Sequence, residues 1–494
     1  MLTRSVERSV MRTILAVLEK TNKDANETVK KVLDSMEKTE SEHIEVASPQ
    51  SDVNEGLRKL KSTTVTSVAI GSIQSKSDFS ILDIINGKLA FQGRVYSPDF
   101  KPSPLRAIVD EVSKKGEKAI ERMISTFDGD FAVVVAEPER IVAGRDPVGV
   151  QPLYYGESHD CAAVGSNRTL LWKIGIEETR SFPPGNIGVV TCRGFKFTPV
   201  KKLSVFEPKQ ITMETAADAL LEMLEQAVHI RVRGEKEIAV AFSGGLDSSI
   251  VAFQAKKSCS EVRLIHVSLG GKSETEEAKR AADELRLPLN IHVFREEDVA
   301  VTVPKVVELV EEPDPVNTAV GIAFYWTAQK TAESGFRVLL AGQGADELFG
   351  GYQRYAKEYF LEGEERVRRT MLYDIARIHE SNIERDNKIC NFHGVELRLP
   401  FASYAMCEFA SSLPTELKLD CKLDSLKKLV LRKTAERMGL PQWIAAKPKK
   451  AVQYGTGTSS ALKRLARRRK MKVGDLLADI FSLKRAKDVD ALTK

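Results

Sequence analysis

AVAFSGGLDSSIVAF, residues 239–253, decides the fold of this chain. A run of small apolar residues breaks at Ser243, Gly244 and Gly245. A single carboxylate follows at Asp247, then Ser248 and Ser249, and the apolar run resumes. EIAVAF reads as a buried strand and SSIVAFQAKKS as the helix that follows it. The turn then lies at the carboxyl edge of a sheet, where open α/β folds bind ligands. A helix that starts there presents unpaired N–H groups and a positive dipole end, which together form an anion site. Gly244 and Gly245 let the backbone approach phosphate oxygens with no Cβ in the way. Ser243, Ser248 and Ser249 add hydroxyl donors. Asp247 is a poor neighbour for a phosphate unless a cation lies between them, so the pattern implies Mg²⁺. A Walker A loop is excluded, because no lysine follows the glycines.

Outward from this stretch, strands and helices alternate from Met213 on. METAADALLEMLEQAVHIRV and TEEAKRAADELRL read as helices; EVRLIHVSL, LNIHVF and FRVLLAG read as strands. Such alternation with continuous apolar strands indicates a doubly wound parallel sheet, and residues 360–460 read as mostly helical. Residues 62–205 differ: short β-rich pieces punctuated by Gly, Pro, Asp and Asn, with two helical insertions, one near 103–125. They read as an α+β region or a β-sandwich. Residues 1–60 read as helical and then polar, with Val29, Val32, Leu33 and Met36 at helical spacing. FEPKQIT (206–212) reads as a linker. KRLARRRKMK (463–472) reads as a solvated basic face rather than a nucleic-acid patch. The expected organisation is therefore 1–205, 213–460, and a basic tail, 461–494.

The bulk numbers bound the class. A chain of 494 residues is too long for one core. A hydrophobic fraction of 42% and a net charge of +5 call for neither a membrane nor nucleic acid. Six cysteines lie far apart with no C-x-x-C, which fits reduced thiols in a cytoplasmic protein. No apolar run reaches membrane-spanning length. Glu19 and Lys20 interrupt MRTILAVLEK too early for a secretory signal.

Three further stretches join the loop. LLAGQGADELFGGYQRY (339–355) sets Asp346 and Glu347 beside a glycine-rich turn. RDNKICNFHGVELRLPF (385–401) carries Glu396 and Arg398. AAKPKKAVQYGTG (445–457) carries Lys447, Lys449 and Lys450. With SGG-x-DS, and in this order, they resemble the ATP-pyrophosphatase synthetase domain of the asparagine synthetase family over about residues 213–460. The resemblance implies roles. Asp247 and Asp346 match acids that hold Mg²⁺ on the ATP phosphates. Ser243, Gly244, Gly245 and Ser248 match the pyrophosphate cradle. Phe242, Val267, Ala341 and Gly342 fall where the family lines its adenine and ribose pocket. Lys449 matches the lysine that steadies departing pyrophosphate, a catalytic role. Glu396, Arg398 and Lys388 fall near the acyl-adenylate. The implied chemistry is adenylation of a carboxylate followed by attack of ammonia, with AMP and pyrophosphate released.

The front half resembles the class II glutamine amidotransferase domain, an Ntn-hydrolase-like sandwich, through STFDGDFAVVV (125–135) and AGRDPVGVQPLYYG (143–156). Such domains use an N-terminal cysteine whose free amine acts as base. No cysteine precedes Cys161 here. MRTILAVLEK (11–20) resembles that domain's first strand, so Arg12 falls where the nucleophile would be, with ten extra residues before it. MEKTESE (36–42) replaces an arginine-rich turn. LAFQGRVYS (89–97) replaces Asn-Gly-Glu, leaving Gln92 as an oxyanion donor and Arg94 in place of the acid. The expectation is a domain without glutaminase activity.

The substrate side departs from the family too. Gln343 stands where a glutamate is usual, and a neutral amide cannot take a proton from the attacking amine. Ala319 stands where an arginine is typical. Aspartate is the expected acid and ammonia the expected nitrogen source, free or from a separate glutaminase; a homodimer is compatible. Amidation or ring closure of another carboxylate, of the β-lactam synthetase type, remains an alternative. So do a retired nucleotide-binding paralogue and a tRNA-modifying pyrophosphatase.

Overall fold

The computed structural model describes residues 11–36, 42–49, 67–75, 81–96, 104–203, 207–270, 272–422, 425–448 and 452–493. The chain divides into two compact units, residues 1–202 with 483–494, and residues 203–482.

Among the described residues the first unit has twelve strands: β1 (Met11–Glu19), β2 (Glu42–Ala47), β3 (Ser67–Ser75), β4 (Ile81–Ile84), β5 (Gly87–Tyr96), β6 (Asp128–Glu137), β7 (Arg140–Arg145), β8 (Tyr154–Glu157), β9 (Cys161–Gly165), β10 (Thr179–Ser181), β11 (Asn186–Thr191) and β12 (Gly194–Pro199). They form two six-stranded sheets, in the orders β10-β8-β9-β1-β3-β2 and β12-β11-β7-β6-β5-β4. Every pairing in both sheets is antiparallel. Side chains alternate across each strand. Ile14, Ala16 and Leu18 therefore share one core with Ala132, Val134 and Ala136 of the other sheet. Leu15 and Val17 face outward beneath the helix Ala25–Asp34. Phe131, Val133 and Val135 face the helices Pro104–Lys115 and Glu117–Thr126. The result is a helix–sheet–sheet–helix sandwich, the Ntn-hydrolase-like architecture.

One expectation is corrected here. The chain does not open as a helix among the described residues: Met11–Glu19 is a strand, and the helix begins at Ala25 behind the Asp24 cap. A strand buried on both faces is a continuous apolar run, which periodicity cannot separate from a buried helix. Most of MEKTESE lies outside the described residues.

The GRDPVG turn is a fold-holding device. The Asp146 carboxylate accepts N–H bonds from Val148, Gly149, Val150 and Gln151 at 2.7–3.1 Å. The Arg145 guanidinium donates to the carbonyls of Gln151, Phe182 and Gly149 at 2.6–2.8 Å. Both side chains are fully buried. Burial pushes the Asp146 pKa up, against the pull of Arg145 and the N–H donors.

The second unit holds β13 (Glu237–Ala241), β14 (Glu261–Leu269), β15 (Leu289–Phe294), β16 (Val338–Leu340) and β17 (Glu396–Arg398), all parallel, in the order β15-β14-β13-β16-β17. The chain winds from β13 to β14 and β15 on one side, and places β16 and β17 on the other. The switch point is therefore between β13 and β16, where a crevice opens at the strands' carboxyl ends. β17 is three residues long and was not expected; it exists through its register with β16. The basic run 463–472 begins in the helix Thr458–Arg468, which buries Ala461, Leu462 and Ala466. Its Arg464 and Arg468 pair with Glu296. The last helix is Val473–Thr493; within the first unit, Arg485 pairs with Glu177 and lies over Trp172. No described helix is long and apolar enough to cross a membrane.

Candidate active site

The loop after β13 closes on itself before it meets any ligand. Ser243 Oγ and Ser248 Oγ lie 3.2 Å apart, the Gly245 N–H donates to Ser243 Oγ at 3.3 Å, and Ser248 Oγ donates to the Gly245 carbonyl at 3.2 Å. Gly244 holds φ +65°, and a Cβ there would press on the backbone of Ala278. Gly245 is the N-cap of the helix Leu246–Ser258 with no side chain in the cap. The first N–H groups of that helix therefore stay available to an anion.

These residues edge a cleft enclosing roughly 1270 Å³, mouth included. Phe242, Ser243, Gly245, Asp247, Ser248, Val267, Ala341, Gly342, Gln343 and Asp346 all line it. Gly244 contributes the turn beneath. Gly342 lets the strand end pass Asp247: a Cβ there would lie 2.9 Å from the Asp247 Cβ.

The two acids meet on one cation. Lys428 Nζ lies 2.8 Å from both carboxylate oxygens of Asp247 and 2.6 Å from Asp346 Oδ1. Among the described residues no cluster of three or more His, Cys, Asp or Glu could hold a metal. A pair of carboxylates completed by substrate phosphates is how Mg²⁺ is commonly held, so the donor set fits that ion. A second lysine, Lys447, donates to the Gly244 carbonyl at 3.0 Å and pairs with Glu277 at 2.7 Å. Two ammonium groups thus stand at the glycine loop and its helix.

The comparisons with known proteins agree with this geometry. A family model described as asparagine synthase matches residues 219–362 and 358–493, and one described as a glutamine amidotransferase domain matches residues 106–173. A Methanocaldococcus jannaschii protein, provisionally named a glutamine-hydrolyzing asparagine synthetase, is 31% identical over 396 residues, covering 70% of this chain and 73% of that one. The chain belongs to the asparagine synthetase family. It is an ATP-dependent ligase by that membership. A glutamine-hydrolyzing asparagine synthetase of Triphysaria versicolor is 26% identical over 374 residues, covering 71% of this chain and 62% of that one. Among solved structures, a glutamine phosphoribosylpyrophosphate amidotransferase from B. subtilis aligns at 13% identity over 56% of this chain and 65% of that one. Its TM-score of 0.30 carries no weight for the fold, which rests on the strand orders above.

Not every expected residue of this synthetase-family site is in the cleft. Arg398 is buried against Glu396 (2.7 Å), Glu235 (2.9 Å) and the Arg231 carbonyl, and neither Glu396 nor Arg398 lines the cleft. Buried charges need partners, and these three acid and base groups serve one another. Lys388 pairs with Glu311 at 2.9 Å and donates to the Val310 carbonyl. Lys449 lies outside the described residues.

Gln343 is in the cleft, and its Nε2 donates to Asp386. Asp386 is fully buried, and Arg385 holds both its oxygens at 2.7 and 3.1 Å. Burial pushes the Asp386 pKa up, with Arg385 opposing. An ionised carboxylate only accepts, so the amide nitrogen of Gln343 must face Asp386 and its oxygen must face elsewhere. Glu347, next to Asp346, turns inward: Tyr352 and Asn382 donate to it, and burial raises its pKa.

In the front unit, Ser166 Oγ accepts from the Ile14 N–H at 2.8 Å and donates to Gln92 Oε1 at 2.9 Å. Gln92 is buried and its carbonyl oxygen is thereby engaged. Cys161 is buried, and burial raises its thiol pKa.

Proposed function

We propose that this chain adenylates aspartate with ATP and transfers ammonia to the activated carbonyl, giving asparagine, AMP and pyrophosphate, with no glutaminase activity of its own. A carboxylate oxygen attacks the α-phosphorus and pyrophosphate leaves. Ammonia then attacks the acyl carbon, the C–O bond to AMP breaks, and a proton leaves nitrogen. Mg²⁺ held by Asp247 and Asp346 would spread the negative charge of the phosphates. The N–H groups behind Gly245 and the hydroxyls of Ser243 and Ser248 bind the outer phosphates. Lys447, beside Gly244, and Lys449 offset charge on the leaving pyrophosphate. Phe242 and Val267 supply apolar wall for the base. The single observation that carries this reading is the meeting of Asp247 and Asp346, 99 residues apart in sequence, on one cation beside the glycine loop.

Support for the missing glutaminase is the absence of any cysteine before Cys161. A different acceptor acid, as in a β-lactam synthetase-type reaction, is favoured by one observation: the cleft presents the amide of Gln343 where a carboxylate is usual. The test supplies ATP, Mg²⁺, ammonium and a panel of acids. Asparagine, AMP and pyrophosphate should appear together with aspartate. Glutamine in place of ammonium should yield no glutamate. Pyrophosphate release with another acid alone would replace aspartate.

A further inference from the structure

The Asp247–Lys428–Asp346 bridge has a job that the ligase reading does not assign. Lys428 is no drifting surface lysine. It is 2% exposed and holds φ +62° at the start of the helix Leu429–Arg437. Non-glycine residues seldom keep that left-handed conformation unless their surroundings hold them there. The space for the bridge is also built in. A Cβ at Gly351 would fall onto the Asp346 carboxylate and the Lys428 side chain. Gly342 makes the matching room behind Asp247. Arg432, one turn along the same helix, lines the cleft as well, with its Nε on the Lys427 carbonyl.

We propose that Lys428 occupies the cation position shared by Asp247 and Asp346 in the nucleotide-free protein, and so keeps a free divalent ion out until nucleotide phosphates arrive. The inference rests on the reading that the phosphates bind at the Ser243–Ser248 loop. Two carboxylates and one ammonium carry a net charge of about −1, so a free ion gains little there and meets the ammonium at close range. Arriving phosphates change both terms. They give the ammonium other anionic partners, and they add the oxygens that a two-carboxylate site lacks. Nucleotide and metal then enter together, and the protein does not load a bare ion.

The probe is Mn²⁺, followed by electron paramagnetic resonance on the full chain, with and without the non-cleavable α,β-methylene analogue of ATP. The wild-type chain should bind one Mn²⁺ with the analogue, lost in Asp247→Asn, and at least about tenfold more weakly without it. Lys428→Met should bind Mn²⁺ without nucleotide about tenfold or more tightly than wild type. Lys447→Met, which removes a cleft cation that pairs with Glu277 instead, should not. Equal Mn²⁺ affinity of wild type and Lys428→Met without nucleotide would overturn the proposal. Should Lys428→Met fail to fold, the wild-type pair decides: Mn²⁺ bound as tightly without the analogue as with it refutes the exclusion. Failure to bind Mn²⁺ even with the analogue refutes the phosphate-site reading itself and the proposal with it.

Discussion

Gln343→Glu changes one atom type in the cleft and exposes the electrostatics behind it. In the wild type the Gln343 amide donates to Asp386, whose carboxylate is fully buried and forked by Arg385. A glutamate of the same length puts an oxygen where that donor stood. Two carboxylates about 3 Å apart repel by about 5 kcal/mol at an effective dielectric constant of about 20, so the pair takes up a proton instead. Protonating a carboxyl of ordinary pKa about 4.3 costs about 1.4 kcal/mol for each pH unit above it. That gives a penalty of about 2 kcal/mol at pH 6 and about 5 kcal/mol at pH 8, less what Arg385 and solvent at position 343 recover. The sign follows from proton counting. The pair's folded pKa is raised, so between the ordinary carboxylate range and that raised value the native state binds more protons than the unfolded chain. Stability then falls as pH rises. Urea unfolding of the second unit can be followed through Trp326, which is buried there. The variant should lose more of its midpoint at pH 8 than at pH 6. An equal loss at both pH values, or none, would show that Gln343 and Asp386 do not touch in solution.

Asp247→Asn should lower aspartate- and ammonium-dependent pyrophosphate release about a hundredfold or more; parental release would remove the glycine loop from the chemistry. Arg398→Met leaves Glu235 and Glu396 without their shared partner, and should cost about 3–5 kcal/mol in urea unfolding while the KM for ATP stays put. A raised KM with unchanged stability would return Arg398 to the cleft. Lys418 is buried, with its pKa pushed down to about 7 by burial and by the Arg368 charge. The unfolded chain therefore holds a proton that the native state lacks between about pH 7 and its ordinary 10.5, and stability should rise with pH there by up to about 1.4 kcal/mol per unit. Lys418→Met should flatten that rise between pH 7 and 9, and an unaltered slope would count against the buried, neutral lysine.

What the sequence shows of this fold depends on how locally each element is determined. EVRLIHVSL reads as a strand and is β14 from end to end, because an interior parallel strand carries aliphatic and β-branched residues on both faces, here Val262, Leu264, Ile265 and Val267. Met11–Glu19 carries the same kind of run, and without flanking signals it reads equally well as helix. The glycine loop and its two acids are legible because spacing alone states their chemistry. Lys428 is not: in CKLDSLKKLV it looks like one more solvated lysine, and only folding brings it to Asp247, 181 residues away. Glu396 and Arg398 carry a signal that the motif obscures. Two residues apart on a strand, they project from the same face. Opposite charges at that spacing can neutralise each other in a buried edge, and an arginine already matched by two carboxylates has little left for a substrate. The front unit shows the same conversion. GRDPVGVQPLYYG is its longest match to a catalytic domain, yet Asp146 accepts from the backbone of its own turn and Arg145 ties that turn to Ser181 and Phe182. Such a fastening is needed for the unit to stand whether or not it hydrolyses glutamine, so the presence of the motif does not decide the activity.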